Sequence, residues 1–257
     1  MKILAIGDVT SPKGAEYLAR NLWSYRKKNN IDFVTVNAEN AAFITGTNPD
    51  IAEMLLRGGA DCLTGGNHTM RNKSVLEYLD TTREILRPLN FGDGAPGHGY
   101  AVIDTFGKRV LVISVLGCVN IEPRLNSPYE YIDDVLNLEG GKYDVAVMDI
   151  HAEATGEKLA LAHAFDGKIN VIFGTHTHVQ TADEQILPGG TGYITDLGMC
   201  GESGGILGID KNTVIAAMRT HMPPRFAVAK GEVEAFGAVF FLDDKNGRVT
   251  KVERVKI

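Results

Sequence analysis

The sequence predicts an α/β fold of two packed sheets flanked by helices. Three observations carry this: early alternation of apolar runs with helical-period segments, a glycine-rich middle leading into a hairpin, and a β-rich last quarter. Residues 3–6 form an apolar run closed by Gly7-Asp8, a helical period spans 15–28, and 33–36 is the second strand. Asn48-Pro49-Asp50 starts a helix to about 56, Gly58-Gly59 stops it, and 60–63 reads as a third strand. The next helix runs from Asn72 or Ser74 to about Thr82. Residues 92–99 hold four glycines and a proline, after which 100–104 and 109–115 flank Thr105-Phe106-Gly107-Lys108 as a hairpin where antiparallel pairing begins. A helix over 129–138 precedes two core strands, 143–150 and 168–173, which bracket a helix over 154–164. Strands follow at 185–187, 192–194, 226–228, 233–242 and 248–255, the last two joined by Asp244-Lys245-Asn246-Gly247.

No repeat, low-complexity tract or linker divides residues 1–257, so a single domain is expected. With 44% hydrophobic and 23% charged residues, the composition is that of an ordinary folded soluble protein and excludes disorder. No stretch reaches the roughly 18 apolar residues of a membrane span, and 1–6 is too short for a signal-peptide core, so the expectation is a cytoplasmic protein without a membrane partner. Cys62, Cys118 and Cys200 are an odd, scattered set, read as reduced and structural. A net charge of -6 argues against long nucleic acid as a partner. The basic run Arg26-Lys27-Lys28 closes a helix, where cations complement the macrodipole.

The chemistry lies at strand ends. Asp8 follows the first strand, Glu39 and Asn40 the second, Asn67 and His68 the third, His151 the strand ending at Ile150, and His176 and His178 the strand ending at Phe173. Carboxyl ends of parallel strands form the rim where α/β sheets bind ligands, so these separated groups can converge. Singly, each has a plainer reading: Asp8 a helix cap, Asn40 and Asn67 turn residues, His151 a satisfied core histidine. Five strand ends behaving alike favour a site. Mixed oxygen and imidazole donors without thiolate suit Mn, Fe or Zn. Two such ions sharing a carboxylate would use nearly the whole set, with either acid as the bridge.

The ordered motifs Gly7-Asp8, Asn37-Ala38-Glu39-Asn40, Gly66-Asn67-His68, His151-Ala152-Glu153-Ala154-Thr155 and Gly174-Thr175-His176-Thr177-His178 resemble those of calcineurin-like metallophosphoesterases, and specifically the YmdB family of small bacterial phosphodiesterases. The resemblance implies a four-layer α-β-β-α sandwich of two mixed sheets. It implies Asp8, Glu39, Asn40 and His178 around one metal and Glu39, Asn67, His151 and His176 around the other, with Glu39 bridging. Thr10 stands where the wider superfamily has a ligand histidine, and Glu39 where it has a bridging aspartate; both are typical of the YmdB group. The turn Gly7-Asp8-Val9-Thr10-Ser11-Pro12-Lys13-Gly14-Ala15 looks one residue shorter than its relatives' and lacks their arginine; Lys13 is either the replacement for that charge or, equally, an ordinary surface lysine.

Two bridged cations lower the pKa of a shared water, so hydroxide is available near neutral pH and no nucleophilic side chain is needed. His68 is then the expected general acid toward the leaving oxygen. Glu153, Asp183 and Asp196 are candidates to hold the metal-bound rings, while Thr155, Thr175 and Thr177 could serve there or equally satisfy backbone groups in turns. The resemblance implies 2′,3′-cyclic nucleotides such as 2′,3′-cAMP as substrates, a regulatory role in bacterial motility and biofilm choice, and a homo-oligomer. Phe43, Phe91 and Tyr129 are the loop aromatics able to stack a base. The alternatives are a phosphomonoesterase or nucleotidase on the same centre, and a metal-dependent nucleotide-binding regulatory module. A Rossmann dinucleotide site is disfavoured because no Gly-x-Gly-x-x-Gly turn follows Ile6.

Overall fold

In the computed structural model, which describes residues 1–257 except Ile44 and Phe106, the apolar runs sort into two sheets. Among the described residues one sheet has seven strands: β1 (Lys2–Ile6), β2 (Asp8–Val9), β3 (Phe33–Asn37), β4 (Cys62–Thr64), β11 (Met199–Glu202), β12 (Val233–Leu242) and β13 (Val249–Lys256). The other has six: β5 (Tyr100–Thr105), β6 (Lys108–Leu116), β7 (Val145–His151), β8 (Val171–Thr175), β9 (Gln185–Ile186) and β10 (Gly192–Ile194). Side chains alternate across a strand, and here the alternation selects partners. Leu4 and Ile6 of β1 pack with Leu18 of α1 (Pro12–Asn29), Leu55 of α2 (Pro49–Arg57) and Leu79 of α3 (Leu76–Thr81). Ile3 and Ala5 face the second sheet, among Val112, Val147 and Phe173. The far side of that sheet, with Ile113 and Met148, carries Ile132 of α4 (Tyr129–Leu138) and Leu161 of α5 (Thr155–Ala164). Three apolar layers between four layers of structure are the expected α-β-β-α sandwich.

Both sheets are mixed. Strands β1, β3 and β4 run parallel in one, β6, β7, β8 and β10 in the other, and the antiparallel pairs are β5–β6, β9–β10 and those made by β12. The chain bends at Gly7, so β2 leaves β12 and pairs with β11, which enters between them. A Cβ on Gly7 would collide with the Gly198 carbonyl oxygen, so this crossing requires glycine.

Helix α1 begins at Pro12 and not at 15, because Ser11 caps it: Oγ accepts the Gly14 N–H at 3.0 Å and donates to Glu202 at 2.6 Å. The shortened turn after Asp8 is therefore fastened to β11, while Lys13 is exposed. The basic run does close α1, but Arg26 is buried and paired with Asp61 at 2.9 Å. Residues 226–228 are not a strand; they follow Pro223-Pro224 and make one isolated bridge at Val228. Strand β11 and helix α6 (Lys211–Thr220) were not foreseen; α6 has no buried residue and shows no core-facing stripe. The hairpin closes with Thr105 opposite Lys108, and the Phe106 position of its turn lies outside the described residues. The three cysteines are free. No helix among the described residues is long and apolar enough to cross a membrane.

Candidate metal centre

Both parallel sets end at the same rim, and the sequence-named residues meet there. Glu39 follows β3, held by its own N–H donating to Asn37 Oδ1 at 3.1 Å. His151 ends β7 fully buried, and His176 and His178 follow β8 with positive φ of 97° and 63°. One ligand atom each from Glu39, His151 and His176 lie within 4.8 Å of one another. Nε2 of His151 is 3.1 Å from Nδ1 of His176, 3.0 Å from Oδ1 of Asn67 and 3.4 Å from Oε1 of Glu39. Asp8 stands alongside, its Oδ2 accepting the His176 N–H at 3.0 Å and its Oδ1 lying 3.7 Å from His178 Nε2. Because Ser11 caps α1, the helix-cap reading of Asp8 fails.

Hydrogen bonding fixes which nitrogens face inward. His178 Nδ1 donates to the Leu207 carbonyl at 3.1 Å, leaving its Nε2 lone pair toward Asp8. His151 Nδ1 lies 2.9 Å from Thr175 Oγ1, and Thr175 donates to Asp149 Oδ1 at 2.7 Å. Asp8 Oδ1 is buried and has no hydrogen-bond partner. A buried carboxylate oxygen left without a donor, beside carboxylate, amide and imidazole groups able to ligate, fits a cation.

The electrostatics agree. Burial raises the Asp8 carboxyl above the ordinary range, against the opposing pull of His178 and His151. Burial opposes ionisation of Glu39 too, but His151 and His68 outweigh it and hold the carboxyl well below its usual value. Burial likewise works against a charge on His151, yet Glu39 and Asp8 push it up to about 9; His176, desolvated beside His151, falls to about 3.

Asn40 is buried and His68 half-buried, and both are linked to Glu39. His68 Nδ1 donates to Asn40 Oδ1 at 2.8 Å, Asn40 Nδ2 donates to Glu39 Oε1 at 2.5 Å, and the His68 backbone N–H donates to Glu39 Oε2 at 2.8 Å. The Nε2 of His68 has no protein partner among the described residues. Of the three aromatics considered for base stacking, Tyr129 packs on Phe165, Phe91 is half-buried and Phe43 is 64% exposed.

The supporting groups are only partly those expected. Glu153 reaches His176 Nε2 at 3.2 Å. Asp196 touches no ring; it pairs with Lys158 at 2.8 Å and accepts from the Thr177 N–H, the Thr177 hydroxyl and the Gly198 N–H. Asp183 holds Thr181 and Thr195. Thr175 serves His151 and Thr177 serves Asp196, so neither is merely a turn residue. Asp149 and Lys158 were missed although the signals were present. Asp149 interrupts an apolar strand two residues before His151, and Lys158 shares the α5 stripe of Leu161 and Ala162.

The family model described as YmdB-like protein matches residues 4–255. The chain is 40% identical over 257 residues to the 2′,3′-cyclic-nucleotide 2′-phosphodiesterase of Bacillus subtilis (strain 168), covering 100% of this chain and 97% of that protein. A crystal structure of a hypothetical protein from Thermus thermophilus superposes with a TM-score of 0.92 at 34% identity, covering 100% and 99% of the two chains. A crystal structure of a novel phosphatase from Mycoplasma pneumoniae also superposes at 0.92, with 32% identity and coverage of 100% and 93%.

Proposed function

The chain belongs to the YmdB-like family, and from that premise we propose that it is a dinuclear metal-dependent phosphodiesterase acting on 2′,3′-cyclic nucleotides in the cytoplasm. The supporting observation is the meeting of Glu39, His151 and His176 beside the buried Asp8 Oδ1, which has no hydrogen-bond partner. Asp8, Glu39, Asn40 and His178 would hold one ion, and Glu39, Asn67, His151 and His176 the other. When bound, two divalent cations, Fe or Mn by preference with Zn as the alternative, supply the Lewis acidity that makes water nucleophilic near neutral pH and neutralises phosphoryl charge.

The chain's own part is positioning and proton transfer. Hydrolysis of a cyclic diester breaks one P–O bond, leaving a phosphate monoester and a ribose oxygen that needs a proton. His68 is fixed through Nδ1 by Asn40, and its Nε2, which makes no hydrogen bond to the described residues, is the atom that would pass a proton to that oxygen. Phe43, exposed three residues beyond Asn40, is the aromatic open to a nucleobase. The substrate follows the B. subtilis relative; the M. pneumoniae structure keeps phosphomonoester hydrolysis as the competing activity. The test is elemental analysis of the purified protein together with assays on 2′,3′-cAMP and a nitrophenyl phosphate monoester. Two ions per chain and preferred turnover of the cyclic diester are expected; a metal-free active protein, or preference for the monoester, refutes the proposal.

A further inference from the structure

Asn37 opens the Asn37-Ala38-Glu39-Asn40 motif without a role in the reading above, Thr175 figures in the sequence reading only as a motif residue without a settled role, and Asp149 is absent from it altogether. All three meet at a fully buried seam between the two sheets. Asp149 Oδ2 receives the Thr64 hydroxyl from the end of β4 and Asn37 Nδ2, at 3.0 Å, from the end of β3. Its Oδ1 receives the Thr175 hydroxyl, at 2.7 Å, from the end of β8. The Asn37 amide cannot turn over without losing the Glu39 N–H, which its Oδ1 accepts at 3.1 Å. Four strands from both sheets thus converge on one carboxylate directly beneath the metal centre.

We infer that Asp149, acting through Thr175, is a positioning residue that sets the tautomer of His151 and so presents its Nε2 lone pair to the metal. Thr175 has one hydroxyl proton, and the geometry commits it to Asp149. Of its two lone pairs one is offered to Asn37 Nδ2 at 3.3 Å, which also lies 3.4 Å from His151 Nδ1. The other accepts from His151 Nδ1–H at the shorter 2.9 Å, which bares Nε2 among Glu39, Asn67 and His176. A carboxylate that oriented the ring directly would do the same work in one step; here a threonine hydroxyl relays it across the seam. Asn37 couples the device to the second ligand, because the same amide that braces Asp149 fixes the backbone of Glu39. This inference rests on the dinuclear reading of the site.

The test uses metal-loaded protein and the pair Thr175→Val and Thr175→Ser, with Asp149→Asn as a third variant. Valine keeps the shape of threonine and loses the hydroxyl; serine keeps the hydroxyl and loses the methyl. Metal content, Mn(II) affinity by titration calorimetry and the protonated nitrogen of His151 by long-range ¹H–¹⁵N spectra are measured, with thermal melting as the check on folding. Thr175→Val is expected to weaken metal binding by about 10–100-fold and to lose the fixed Nδ1–H signal, while Thr175→Ser retains both. Asp149→Asn, where it folds, is expected to follow the valine variant. Tight binding by Thr175→Val, or equal damage by valine and serine, overturns the inference while leaving the phosphodiesterase reading intact. A wild-type chain that binds no metal overturns both.

Discussion

Replacing Lys158 by Met tests how the His176–Thr177–His178 turn is held. Lys158 and Asp196 are both fully buried and paired at 2.8 Å, and the same ammonium donates to the Thr175 carbonyl at 2.7 Å. Asp196 in turn receives two bonds from Thr177 and one from Gly198. Methionine fills most of the volume but removes the charge and both bonds. Breaking a buried pair by deleting one partner costs about 3–5 kcal/mol, since the other charge stays behind. Asp196 keeps three donors, which places the cost near the lower end, about 3 kcal/mol. At roughly 2–4 °C per kcal/mol for a chain of this size, the melting temperature should fall by about 6–12 °C. Urea unfolding and calorimetry measure this directly. Adding Asp196→Asn neutralises the stranded charge and should recover about 2 kcal/mol of the loss. A single variant that loses under about 1 kcal/mol, or a double variant no better than the single, would show that the pair does not hold the turn. Metal content should fall with stability in the single variant, because His176 and His178 adopt positive φ on either side of the anchored Thr177.

His68→Ala should lower kcat by about 10²–10⁴-fold while the chain keeps its full complement of metal, measured by elemental analysis beside steady-state kinetics; parallel loss of metal would make His68 a structural support instead. Gly66→Ala should abolish activity in a protein that still folds. A Cβ there would sit 2.5 Å from His151 Nε2 and 2.6 Å from Glu39 Oε2, so circular dichroism and turnover should separate. Asp183 is held below the ordinary carboxylate range: burial opposes this, but hydrogen bonds from Thr181 and Thr195 prevail. Its folded pKa is depressed, so its contribution to stability is present above the unfolded value of about 3.8 and fades as pH falls through the folded one. Asp183→Asn should therefore destabilise at pH 7 and converge on the parent chain in acid, by urea unfolding across pH; a constant difference at all pH values contradicts this.

The strand ends, the motifs they carry and the α/β class were legible in the sequence because they depend on local signals: apolar period, glycine and proline punctuation, and polar residues placed where strands stop. These sufficed to name Asp8, Glu39, Asn40, Asn67, His68, His151, His176 and His178 as one group. Strand β11, which docks between β2 and β12 to fix the turn after Asp8, has no such signal, since Met-Cys-Gly-Glu acquires its extended form only from its neighbours. The supporting groups divide in the same way. Glu153 lies close to the site in sequence and was expected, whereas Asp149 and Thr175 gain their meaning from Asn37 and Thr64 across the seam between sheets. Even the Leu207 carbonyl that orients His178 comes from 29 residues away. Sequence alone determined which side chains could bind a cation, because ligand chemistry belongs to the residue. Tertiary structure decided how each ring is turned and which carboxylate oxygen, Asp8 Oδ1, is left without a hydrogen bond, because such a bond exists only once two distant atoms lie about 3 Å apart with water excluded.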